Sequence, residues 1–302
     1  MKRIGKLILC PACLILMTLT VLPADAAPTG IFVSIAPQKY FVEKIGGSLV
    51  DCSVLVPAGA DPHTYEPKPR QMAALAKTAV YFAVGIDFEK AWLARIASAN
   101  PGMRIVHTDA GITKIAMAKH YGEAANDRKH AGPTSHDHAG GAPDPHIWLA
   151  PALVKVQAGH ILQTLVAVDP KNQSHYKTGY GNFLRELDAL DGELKALFAG
   201  RKGEPFMVFH PSWGYFAQAY GLKQVPIEME GKEPKPAQLH QIIRQARERG
   251  VKVIFVQPQF STKSAEMLSR EIGGQIALVD PLAENWAENL RKAAGKFRKA
   301  VR

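Results

Sequence analysis

The chain has 302 residues, of which 47% are hydrophobic and 21% charged, with a formal net charge of +10 at neutral pH. That balance belongs to a folded globular protein, and the length suits two lobes of ordinary domain size better than one core. Beyond the N-terminus no apolar run is long enough to span a bilayer, so the mature protein is expected to be soluble.

The first 26 residues have the pattern of an export signal. Lys2, Arg3 and Lys6 form a basic start, residues 7–22 are almost unbroken apolar sequence, and Ala24-Asp25-Ala26 supplies a small-x-small cleavage site. Cleavage is expected after Ala26, placing the mature chain in the periplasm. Removal of this segment takes away three cations and one anion, leaving +8. It also removes Cys10 and Cys13, so Cys52 alone remains. One cysteine cannot form an internal disulfide, and a Cys-rich metal site is excluded. Cys52 alternates within the apolar run 50–56 and is expected to be a buried thiol.

The mature sequence alternates β-rich runs with helical periodicity. Strands are predicted at 31–35, 50–56, 80–84 and 104–107, with helices at about 37–45, 70–78 and 88–99 between them. Residues 118–144 break the pattern; rich in Gly, Ala, Asp and His, they are expected to form a mobile loop. Two helices follow at about 151–168 and 172–199. The alternation then restarts, with strands at 205–209, 224–227, 252–256 and 276–279 and helices at 213–220, 237–249, 263–272 and 285–301. Such alternation predicts an α/β fold of two βαβ-type lobes with parallel-rich sheets and a long helix between them. The expected division is 27–170 for the first lobe, 171–200 for the connecting helix and 201–302 for the second lobe. Ligands of open parallel sheets bind beyond the carboxyl ends of the strands, so function is expected in the loops there, in a cleft between the lobes.

A basic balance can signal nucleic acid, but the cations are dispersed except on the closing helix, and no stacking aromatics are interleaved with them. That helix is read as having a solvated face, with no nucleic-acid partner.

Eleven histidines are present, and three stand out. Asp61-Pro62-His63 closes the turn after the second strand, Asp144-Pro145-His146 ends the expected loop, and Phe209-His210-Pro211 ends the first strand of the second lobe. Proline stiffens such turns, and a ligand held on a stiff turn loses less entropy when a metal binds. Imidazole suits zinc and its late first-row neighbours. The repeated motif, with a third histidine at a strand end, points to metal ligation by His63, His146 and His210. Asp280, in Val279-Asp280-Pro281 after the last strand, is the expected fourth ligand of a tetrahedral site of three nitrogens and one oxygen. Glu66, Glu228 and Glu230 are candidates for holding an imidazole from outside. His107, His160, His175 and His240 are expected to be structural or surface residues.

Four linked motifs carry a resemblance: Pro57-x-Gly59-x-Asp61-Pro62-His63-x-Tyr65-Glu66-Pro67, Asp144-Pro145-His146-x-Trp148, Phe209-His210-x-x-Trp213-x-Tyr215 and Val279-Asp280-Pro281. Together they resemble the zinc/manganese solute-binding proteins of ABC-type metal importers over essentially the whole mature chain. The resemblance implies two α/β lobes joined by one long helix, with the ion in the interlobe cleft. His63 and His146 would come from the first lobe, His210 and Asp280 from the second. It implies a membrane permease and an ATPase as partners, a monomeric binding protein, and no enzymatic activity. Manganese-directed members of that family carry Glu at the third ligand position; His210 there shifts the expectation from Mn²⁺ to Zn²⁺. Zinc-directed members often carry a His/Asp-rich loop before the second ligand, so His120, His130, His136 and His138 are candidates for an auxiliary metal loop. Pro62 stands where some zinc members place Glu, which strengthens Asp280 as the fourth ligand. The competing readings are a manganese or broad-specificity binding protein, a metal-dependent adhesin, and a zinc hydrolase, which would need an open coordination position and a nearby general base. No P-loop and no HExxH motif is present.

Overall fold

The computed structural model describes residues 27–117, 142–228 and 234–301. Two four-stranded sheets are formed, each entirely parallel. The first contains β1 (Thr29–Val33), β2 (Val50–Val54), β3 (Val80–Ala83) and β4 (Arg104–His107) in the order β2-β1-β3-β4. The second contains β5 (Pro205–Val208), β6 (Lys223–Pro226), β7 (Val253–Val256) and β8 (Gln275–Leu278) in the order β6-β5-β7-β8. Parallel neighbours require crossover connections, and helices supply them. In the first lobe these are α1 (Ala36–Gly46), α2 (Pro69–Leu75) and α3 (Asp87–Ala99). A sheet covered on both faces needs apolar strands: Val80, Tyr81, Phe82 and Ala83 are all fully buried.

Between the sheets run α4 (Pro151–Val168) and the 25-residue α5 (Gln173–Leu197), separated by a single 3₁₀ turn at Pro170–Asn172. The second lobe adds α6 (Gly214–Ala219), α7 (Pro236–Glu248), α8 (Lys263–Glu271) and the closing α9 (Trp286–Ala300). Proline occupies the first turn of α1, α2, α4 and α7, where its missing N–H costs no intrahelical bond. The expected α/β fold of two parallel-sheet lobes with a long helix is therefore observed. The first strand begins two residues earlier than predicted and stops at Val33, because Ser34 already turns toward α1 with its N–H donating to Gln38 Oε1 at 3.1 Å.

The lobes are not independent globules. One continuous apolar core runs from the first sheet through α1, α4 and α5 to the near face of the second sheet; a smaller one lies on that sheet's far face, around Phe209, Ile242 and Leu268. The closing helix joins the two lobes. Trp286 packs edge-on against Phe41 of α1 at 5.1 Å, while Phe297 packs against Phe206 and Trp213 of the second lobe. The basic residues of α9 lie on its outer side, where Arg291 pairs with Glu193 of α5. Trp148, Trp213 and Trp286 are fully buried, each contributing on the order of 2–3 kcal/mol or more by removal from water. Cys52 is buried and free, as expected, and burial pushes its thiol well above the ordinary value.

The expectation of a mobile loop over 118–144 falls mostly on 118–141, outside the described residues. Its closing residues are ordered: Met117 N–H donates to Ala142 O, Asp144 N–H donates to Ile115 O, and Ala116 and Pro143 form an antiparallel bridge. Among the described residues, no helix is long and apolar enough to cross a membrane.

Candidate metal centre

All the site groups lie beyond the carboxyl ends of the strands or on the segment entering α4. Three of them share one local device, an Asp-Pro turn in which the aspartate carboxylate accepts the N–H two residues on. Asp61 Oδ1 accepts His63 N–H, Asp144 Oδ1 accepts His146 N–H, and Asp280 Oδ1 accepts Leu282 N–H, each at 2.9 Å. The first two turns present a histidine; the third presents a leucine. His210 is fixed differently: its N–H donates to Gln257 Oε1 at 3.2 Å, and Gln257 Nε2 donates back to His210 O at 2.8 Å. The ring stacks on Phe260 with centroids 4.8 Å apart.

These turns bring His63, His146 and His210 together, with one ring nitrogen of each within 4.8 Å of the other two. His63 Nε2 and His210 Nε2 are 3.3 Å apart. Ligand bonds of about 2.0–2.1 Å at tetrahedral angles place ligand nitrogens about 3.3 Å from one another, so this spacing matches zinc. Each Nδ1 faces a carboxylate: Asp87 Oδ2 at 2.9 Å for His63, Asp144 Oδ1 at 2.7 Å for His146 and Glu228 Oε2 at 2.9 Å for His210. A carboxylate fixes the proton on Nδ1 and leaves the Nε2 lone pair for a cation, and it makes the ring a stronger donor. Three imidazoles so oriented form a zinc-type donor set.

Burial sets the electrostatics. His146 and His210 are buried and His63 is half-buried. Burial pushes His146 below the ordinary histidine value, against the Asp144 carboxylate, which raises it; the other two rings depress it further. The ring is therefore neutral and available near pH 7. Burial works to raise Asp87, but hydrogen bonds from Lys90 and His63 outweigh it and hold the carboxylate below its usual range. Asp87 opens α3, and the loop before it is anchored by Glu89, which accepts Val84 N–H at 2.9 Å and Gly85 N–H at 2.8 Å. Gly85 has φ +81°, and a Cβ there would meet Asp109 Oδ2 at 2.3 Å. This loop needs glycine on both counts.

Asp280 is not in the three-histidine group. Its Oδ1 accepts Gln259 Nε2 at 2.8 Å in addition to Leu282 N–H. Of the carboxylates proposed to hold imidazoles, Glu228 does so; Glu66 is exposed and Glu230 is outside the described residues. Asp87 was missed because only the tertiary fold brings α3 beside the turn at residue 63. The partner of His146, Asp144, has a local signal in the sequence, an Asx turn two residues before the histidine. His120, His130, His136 and His138 lie outside the described residues. His160 and His175 reach the carbonyls of Ala110 and Gly46, and His107 lies 3.6 Å from Asp109, as structural residues.

The lobes meet directly beside the cluster. Tyr215 OH of the second lobe accepts Ile115 N–H at 3.2 Å and donates to Asp144 O at 2.9 Å. Trp148 Nε1–H donates to Pro281 O, and Trp286 Nε1–H donates to Trp148 O, both at 2.7 Å.

Residues 31–300 match the family model described as ZnuA, the periplasmic component A of a zinc-uptake complex. The chain belongs to the ZnuA family. Its similarity to the high-affinity zinc uptake system protein ZnuA of Bacillus subtilis is 28% identity over 261 residues, covering 86% of this chain and 80% of that protein. A crystal structure of a ZnuA is 44% identical and superimposes with a TM-score of 0.82, over 91% of this chain and all of that one. A zinc-bound ZnuA deletion variant is 43% identical, with a TM-score of 0.81, over 90% and 98%. ZnuA-family membership places this protein among the zinc-binding, periplasmic components of ABC zinc uptake.

Proposed function

We propose that this ZnuA-family protein captures Zn²⁺ with His63, His146 and His210 and delivers it, as a monomer, to the permease and ATPase of an ABC importer. Export would use residues 1–26, with cleavage after Ala26. The observation that carries the reading is the convergence of three imidazoles, each with its Nδ1 on a carboxylate. Three nitrogen donors suit Zn²⁺ better than Mn²⁺, which prefers oxygen. Asp280 is the carboxylate proposed to complete the sphere, by turning toward the ion from the position in which Gln259 and Leu282 hold its Oδ1.

Chelator-competition titration tests the site. His146→Ala and His210→Ala are expected to abolish tight Zn²⁺ binding while leaving the metal-free fold intact; unchanged affinity in both would refute the assignment. Elemental analysis of protein isolated from its native compartment without added metal tests the cargo. Predominant manganese would overturn the zinc preference.

A further inference from the structure

We propose that Gln259 sets the affinity and selectivity of the zinc site by competing with the ion for Asp280. This inference rests on the three-histidine site proposed above. Gln259 follows β7 and lines the same small cavity as His63, His146, His210 and Phe260. Its Nε2 donates to Asp280 Oδ1 at 2.8 Å. Its Oε1 is buried and makes no hydrogen bond. A buried amide oxygen without a donor is uncommon in folded proteins. Here the opposite end of the amide is held by a carboxylate, and a flipped amide would set oxygen against oxygen.

Asp280 is thereby held by two donors on one oxygen, the Gln259 amide and the Leu282 backbone. In this arrangement it does what Asp61 and Asp144 do in their own Asp-Pro turns, and neither of those supplies a donor atom to the cluster. Both bonds fall on Oδ1 and hold the carboxylate outside the three-histidine group, so bringing it to the ion means turning it away from the position in which Gln259 holds it. Gln259 therefore weakens the closed sphere of three nitrogens and one oxygen relative to the three-imidazole sphere. Two consequences follow. A less firmly closed sphere releases its cargo more readily to a permease. A site that limits the hard carboxylate donor also disfavours Mn²⁺ relative to Zn²⁺.

The test is a double-mutant cycle on the full mature protein, with Zn²⁺ and Mn²⁺ affinities measured by chelator competition and the coordination sphere followed by Co²⁺ ligand-field absorption. Gln259→Leu is expected to tighten Zn²⁺ binding about 10-fold, the scale of outer-sphere effects on metal affinity, and to tighten Mn²⁺ by more. The Co²⁺ spectrum is expected to shift as a carboxylate enters. Both changes are expected to vanish in Gln259→Leu/Asp280→Asn. Gln259→Asn, whose arm is one methylene shorter, is expected to tighten Zn²⁺ in the same direction, and serves if the leucine variant fails to fold. Weakened or unchanged Zn²⁺ affinity in the folded Gln259 variants overturns the proposal, as does a gain that persists without the Asp280 carboxylate. His146→Ala, measured alongside, separates the two failures: if it leaves affinity unchanged, the site assignment is wrong; if it abolishes binding while the Gln259 variants do not tighten it, only the competition is wrong.

Discussion

Gly214, in the first turn of α6, leaves room for Asp144: a Cβ at that position would lie 2.6 Å from Asp144 Oδ2. The glycine belongs to the second lobe, and the carboxylate holds His146 from the first. A missing side chain in one lobe thus makes room for the carboxylate that holds a proposed metal ligand in the other. Gly214→Ala is expected to push Asp144 aside and cost about 1–3 kcal/mol in stability by overpacking. It is also expected to weaken Zn²⁺ binding through His146. Thermal melts of the metal-free and zinc-loaded protein would show both effects; a variant with wild-type zinc affinity would show that Asp144 does not need this space.

Removing the carboxylates behind the imidazoles is expected to lower zinc affinity without removing a ligand. Asp144→Asn and Glu228→Gln, both at buried carboxylates, are expected to cost about 10–100-fold. Asp87→Asn is expected to cost less, because that carboxylate is largely exposed and screened. Competition titration in low and high salt checks the ranking, and only the Asp87 effect is expected to shrink with salt.

Glu89 predicts a pH dependence. Burial raises its carboxyl above the ordinary value, against hydrogen bonds from Ser34, Val84 and Gly85 that lower it. The folded state therefore holds this proton to higher pH than the unfolded chain does. Its contribution to stability is complete below the ordinary glutamate value and declines as pH rises through the raised one, with a slope of at most about 1.4 kcal/mol per pH unit. Glu89→Gln is expected to abolish that slope in denaturation measured across the window. An unchanged slope would assign it to another group.

Tyr215 links the lobes through Ile115 and Asp144. Tyr215→Phe leaves the Ile115 N–H without this acceptor and is expected to cost about 1–3 kcal/mol. With the shared core and the Trp148 and Trp286 bonds also crossing between lobes, zinc loading is expected to change the small-angle scattering profile little. A large compaction on loading would contradict this clamp.

Much of this was legible in order along the chain. Apolar runs such as Val80–Ala83 and Val253–Val256, set between helical periods, announced parallel strands because a sheet covered on both faces leaves no polar alternation. The repeated Asp-Pro-His turn was visible because its hydrogen bond closes over two residues. What stayed hidden depended on distant partners. The Asp87 carboxylate behind His63 and the Gln259 amide on Asp280 are 24 and 21 residues from their partners. No local period records such pairs.

The sequence by itself determined the element order, the three histidines and the stiff turns that present two of them, since propensity, periodicity and Asx-turn chemistry act over a few residues. The tertiary structure decided how those turns are used. Sheet packing and the common core brought three imidazoles from two lobes within 4.8 Å of one another, placed a carboxylate behind each, and held the third Asp-Pro turn to Gln259 instead of the cluster. The reason is physical: ligand geometry at a few ångströms is set by side chains that burial forces together, and burial is a property of the whole chain.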